Sequence, residues 1–89
     1  MKAIITVMGS DRPGIIAGVT ANLAENSINI EDISQTTMQG IFTMIMLVDM
    51  TNSKADVSSL SKELNAVGQS TGVTIAVQHE DIFNSMHRV

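Results

Sequence analysis

The chain has 89 residues, 44 % of them hydrophobic, with nine acidic and five basic side chains for a net charge of −4, and no cysteine. A single small domain with a thin core follows, burying about 60–65 % of the surface its unfolded form exposes, and neither disulfide staples nor thiolate metal sites are available to it. Its basic residues, Lys2, Arg12, Lys54, Lys62 and Arg88, are scattered, so no stripe exists to neutralise a row of phosphates and nucleic acid is not an expected partner.

No positively charged segment precedes a long apolar stretch, and the longest apolar run, residues 41–50, is broken by Thr43 and Asp49 and is too short to span a bilayer. A soluble protein of a reducing cytoplasm, without membrane contact, is the expectation. Residues 2–8, KAIITVM, are rich in β-branched side chains and stop at Gly9, which reads as a strand. A helix follows: Asp11 can accept backbone N–H bonds near its start, Pro13 fits its first turn, and Ile15, Ile16, Val19 and Leu23 recur at helical spacing until Asn26. Ile28, Ile30 and Ile33, with residues 34–38, form a second strand whose change of apolar parity calls for a bulge around Glu31 and Asp32. Gln39 and Gly40 make a tight turn into a third strand, so these two strands form a hairpin.

Alternation along the third strand puts Phe42, Met44, Met46, Val48 and Met50 on one face and Ile41, Thr43, Ile45 and Leu47 on the other. Both faces are apolar. Helices on one side cover one of them, so the other is either the interior of a tightly packed monomer or, more economically, covered by a second copy of the chain. Asn52 and Ser53 open the next helix, with Val57, Leu60, Leu64 and Val67 on one side and its end at Gly68 or Gly72. Residues 73–79, VTIAVQH, alternate as a last strand. The tail, residues 80–89, begins with two acids and groups Ile82, Phe83 and Met86 on one face of a short helix.

The order is β-α-β-β-α-β, an α+β class, ferredoxin-like sandwich with a four-stranded antiparallel sheet and both helices on one face, followed by a short tail helix. That architecture hosts many functions. Copper carriers built on it need paired cysteines, and RNA-recognition modules need sheet aromatics, whereas Phe42 and Phe83 are the only aromatics here. An acylphosphatase-like hydrolase would rely on Arg12, but Pro13 removes a backbone donor from the loop and Asp11 repels the anion. The first loop suits a small zwitterion better. Amides near Gly14, Ile15 and Ile16 favour a carboxylate, Asp11 can pair with an ammonium group, and Gly14 lets a ligand approach the backbone. The simpler alternative is that Asp11 only caps a helix and that Pro13 and Gly14 only make a turn.

The stretch DRPGIIAGVTANLAENSINIEDI resembles the opening of an ACT domain, with the D-R-P-G-[IV] loop, the first helix and the N-I strand start of that family. The likeness runs across nearly the whole chain. It is greatest to stand-alone single-domain bacterial members, whose C-terminal extension resembles HEDIFNSMHRV, and to the ACT repeats of the glycine-cleavage-system repressor. The resemblance implies an ACT domain over residues 1–79 and an extension over residues 80–89. It also implies an amino-acid ligand held at an interface between two copies. The loop of one copy supplies Gly9, Ser10, Asp11, Arg12, Pro13, Gly14 and Ile15, and the second strand of its neighbour supplies Asn29, whose amide can donate to a carboxylate and accept from an ammonium group. Some serine-binding members carry a His in this loop where the chain has Gly9, so serine in particular is not implied. Other members bind no ligand and serve as oligomerisation or interaction scaffolds, for which the tail would be the docking element for an unidentified protein partner.

The remaining candidates carry little chemistry. His79, Glu80, Asp81 and His87 would need an unshown turn to converge on a metal and read as a solvated tail, so no metal and no cofactor are expected. Glu31 and Asp32 point to opposite faces of a regular strand, and no nucleophile stands with a base and an orienting group, so no catalytic residue is named. Met44, Met46 and Met50 are read as gap-filling core or interface residues. The expectation is a non-enzymatic allosteric sensor, a homodimer or larger assembly that binds a small amino acid.

Overall fold

The computed structural model describes residues 1–10 and 12–86. Its elements are β1 (Lys2–Ser10), α1 (Ile15–Glu25), β2 (Asn29–Met38), β3 (Ile41–Asp49), α2 (Val57–Thr71), β4 (Val73–His79) and α3 (Glu80–Met86). The four strands form one antiparallel sheet in the order β2-β3-β1-β4. This is the ferredoxin-like arrangement expected from the order of elements. Ala3, Ile5 and Val7 of β1, Phe42, Met44, Met46 and Val48 of β3, and Val73 and Ile75 of β4 face inward, against Ile15, Val19 and Leu23 of α1 and Leu60 and Leu64 of α2. The methionines of β3 are therefore core: Met44 and Met46 are 1 % and 0 % exposed. Unbranched and polarisable, they fill the irregular gap between two helices and a twisted sheet in a chain with few aromatics.

The parity change in β2 is a bulge, with the register shifting between Ile30 and Asp32. Met38 pairs with Ile41 across a two-residue turn in which Gln39 and Gly40 both have positive φ, 51° and 81°, as a twisted hairpin requires. Two helix starts differ from the sequence reading. Pro13 lies in the turn before α1 rather than in its first turn, and Gly14, at φ 92°, is the N-cap. α2 begins at Val57, not at Asn52 and Ser53. Its cap is Asp56, whose Oδ1 accepts from the Ser59 amide at 2.8 Å. The earlier polar residues serve the loop: the Thr51 hydroxyl donates to Asp49 Oδ1 at 2.6 Å and the Ser53 hydroxyl to the Ala55 carbonyl at 2.6 Å.

The second face of the sheet is uncovered over much of its area. Cross-strand pairing sets Ser34, Ile45, Thr6 and Ala76 in one row of this outer face and Thr36, Thr43, Met8 and Thr74 in the next. Met38 and Ile41 end it at the hairpin, and Met8, Met38, Ile41 and Ile45 are all exposed. α3 lies against β1 and β4 at the other end, with Ile82 exposed. The expected grouping of Ile82 with Phe83 and Met86 depends on side chains outside those described. No helix among the described residues is long and apolar enough to cross a membrane.

Candidate functional site

The loop between β1 and α1 is built by three constraints. β1 runs to Ser10, Gly14 turns the chain in a left-handed conformation, and the first helical bond runs from the Gly18 amide to the Gly14 carbonyl at 2.9 Å. The amides of Ile15, Ile16 and Ala17 thus precede the helical hydrogen-bond ladder, at the positive end of the helix dipole. Ile15 is buried and anchors the helix, while Arg12, Pro13 and Gly14 are exposed. Asp11, the loop's acid, lies outside the described residues, as do His87 and Arg88.

Arg12 does not simply extend into solvent. A Cβ placed on Gly72 would lie 3.2 Å from both Cζ and Nη1 of Arg12, so the guanidinium rests on the bare backbone of the α2 C-cap. A cation there is favoured by the carbonyl end of the helix. Gly72 also has φ 78°, so it serves both the left-handed cap and the seat for Arg12. Sequence reading took Gly72 only as a helix end. Gly9 has a different reason to lack a side chain: a Cβ would stand 2.9 Å from Val73 Cγ1 and 3.0 Å from Val73 Cα. The close approach of β1 to β4 leaves no room for a histidine at this position.

Asn29 opens β2 and is exposed, and its side chain makes no hydrogen bond among the described residues. It pairs with Asp49, which also pairs with Lys2. Around it, Lys2 Nζ meets Glu31 Oε1 at 2.8 Å, and this bond raises the Lys2 pKa above its ordinary value. The Thr51 hydroxyl and amide hold the Asp49 carboxylate below the ordinary range. Gly9 lies seven residues from Lys2 along β1, about 24 Å at strand rise. Within one chain the loop and Asn29 are therefore at opposite ends of the sheet, and the fold does not bring them together.

A concavity of about 490 Å³ opens elsewhere, on the outer face over β1 and β4, lined by Thr6, Met8, Gly9, Thr74 and Ala76. Of the loop residues named from sequence, it includes Gly9 alone. Among the described residues no group of His, Asp and Glu side chains is placed to hold a metal ion. His79 Nδ1 accepts from the Asp81 amide at 3.1 Å, a local turn at the head of α3.

The family model for the ACT domain matches residues 2–78. The chain belongs to the ACT domain family. It is 57 % identical over 89 residues to a UPF0237 protein of Clostridium acetobutylicum, covering 100 % of both chains. Its fold matches an ACT domain protein from Streptococcus pneumoniae with a TM-score of 0.81 at 46 % identity, over 98 % of each chain. A protein described as a glycine cleavage system transcriptional repressor matches with a TM-score of 0.72 at 25 % identity, over 89 % of this chain and 47 % of that one. ACT domains are regulatory modules, and many bind amino acids. The β1–α1 loop of this ACT domain is its most specialised segment, with a left-handed glycine at the helix start and an arginine docked on a second helix.

Proposed function

We propose that this chain is a non-enzymatic regulatory module that binds a small amino acid between two of its copies. The observation that supports the reading is that the α1 start and the exposed Asn29 lie at opposite ends of the sheet. At one end of the sheet, the α1 amides favour a carboxylate and Asp11 supplies the opposite charge; at the other, Asn29 offers an amide without a partner among the described residues. Neither half surrounds a ligand alone. β2 is an edge strand with a free row of backbone groups. Antiparallel pairing of β2 with its own copy would set the Asn29 end of one chain beside the Met38 end of the other, where β1 delivers the loop.

In this assembly Gly9, Ser10, Asp11, Pro13, Gly14 and Ile15 shape the carboxylate and ammonium sites, and Arg12 holds the loop against α2. A ligand bridging two chains favours that arrangement over its alternatives, and a few kcal/mol of differential binding suffices to shift such an equilibrium. Calorimetric titration with each standard amino acid tests the reading. At least one should release heat, and Asp11→Ala and Asn29→Ala should each abolish it without unfolding the chain. Absence of heat and of any thermal shift for all of them would refute it.

A second reading, a ligand-free scaffold for assembly, is favoured by the uncovered apolar face. It expects partner capture to be lost on truncation before Ile82, with no response to amino acids.

A further inference from the structure

The outer face of the sheet has two unlike halves. On the β2–β3 half, Met38, Ile41 and Ile45 stand proud, 66 %, 55 % and 40 % exposed. On the β1–β4 half, Thr6, Thr74 and Ala76 floor the concavity of about 490 Å³, which Gly9 and the exposed Met8 also line. Across the rows from Ile45 to Ile41 no position carries a charge; Lys2, Asp32 and Asp49 sit at the opposite end. The face is thus uncharged, raised on one side and hollow on the other.

We infer that this face packs on the same face of a second copy, about a two-fold axis parallel to the strands between β1 and β3. Rotation about that axis turns the face over and exchanges its halves, so the ridge of Ile41 and Ile45 in each copy lies on the hollow half of the other. An axis across the strands would instead set ridge on ridge and hollow on hollow. The occupant is a second copy because one face supplies both the projection and its receptacle, the condition for an isologous contact. Four strands spaced about 4.8 Å apart, over the five residues from Ile41 to Ile45 rising about 3.4 Å each, offer roughly 330 Å² per copy before side-chain relief is counted. Two copies thus bury on the order of 650 Å² of flat sheet, in the range of weak contacts, with sheets stacked ~10 Å apart, so the association is read at high protein concentration. This contact is separate from the β2 edge invoked for the amino-acid site, so the two contacts together make assemblies larger than a dimer.

Sedimentation analysis at high micromolar concentration tests it with Ile45→Glu and Ala76→Lys, both at exposed positions. Each variant should lose the face contact and so lower the mass of the wild-type assembly, and mixing the two should restore it, because Ile45 of one copy lies over the hollow of the other. Circular dichroism checks the fold; Ile41→Glu replaces Ile45→Glu, and Thr74→Lys replaces Ala76→Lys, where the first choice fails to fold. A monomeric wild-type chain, an unchanged mass in the variants, or no recovery on mixing would overturn the inference. Amino-acid heats measured on Ile45→Glu keep the two questions apart. Their absence in wild type as well would count against the sensor reading, while the masses alone decide this one.

Discussion

Gly9 shows how a single position can limit the chemistry of the loop. A side chain there would meet Val73 at 2.9–3.0 Å, backbone included, so relief requires strand displacement rather than a change of rotamer. Gly9→Ala should cost about 1–3 kcal/mol in urea denaturation, the range for overpacking a close contact. Unchanged stability would contradict the account. The absence of a histidine here was legible in the sequence; its cause was not, because it depends on how closely β1 approaches β4. The same holds for Arg12. Its charge is plain in the sequence, but its seat on Gly72 joins residues sixty positions apart and appears only when α2 ends beside the loop.

The helix pair is tied by a polar clamp. Asn22 and Asn26 of the α1 end donate from Nδ2 to Glu63 Oε1 of α2 at 2.8 and 3.0 Å, and Asn26 is buried. These bonds hold the Glu63 carboxyl below its ordinary value of 4.5. A depressed carboxylate contributes stability above its unfolded pKa, and that contribution disappears as pH falls through the folded value. Below about pH 4.5 the clamp should weaken. The difference in Tm between wild type and Glu63→Gln should therefore shrink between neutral pH and about pH 3. A pH-independent difference would contradict the role given to the charge. Periodicity located strands and helices well: β4 spans Val73–His79 as read, and the change in parity foretold the β2 bulge. It misplaced the start of α2. Asn52, Ser53 and Asp56 are all residue types suited to a cap; Ser53 is engaged with Ala55 within the loop, and Asp56 is the one that accepts from the Ser59 amide.

At the scale of the whole molecule, the order of elements was enough to anticipate the sheet and a second apolar face. It did not show that this face divides into a ridge and a hollow, which depends on which side chains share a row across four strands. The candidate site was proposed as a set of residues through the family resemblance. Its division between two ends of the sheet is a consequence of topology, since α1 carries the chain back along the sheet before β2 begins. On the proposed reading, a module with divided half-sites senses its ligand only as an assembly, which joins association to regulation.

That claim is tested most directly by mixing two variants that are each unable to bind. Asp11→Ala disables the loop half and Asn29→Ala the strand half, so every site in either homodimer is defective. In an equimolar exchanged mixture, half the dimers are mixed, and each of these has one site in which both halves are intact. Titration with the amino acid that binds wild type should recover about a quarter of the wild-type sites, as two-fold symmetry requires. Recovery of none, with subunit exchange confirmed, or full binding by either variant alone, would contradict a site shared between two chains.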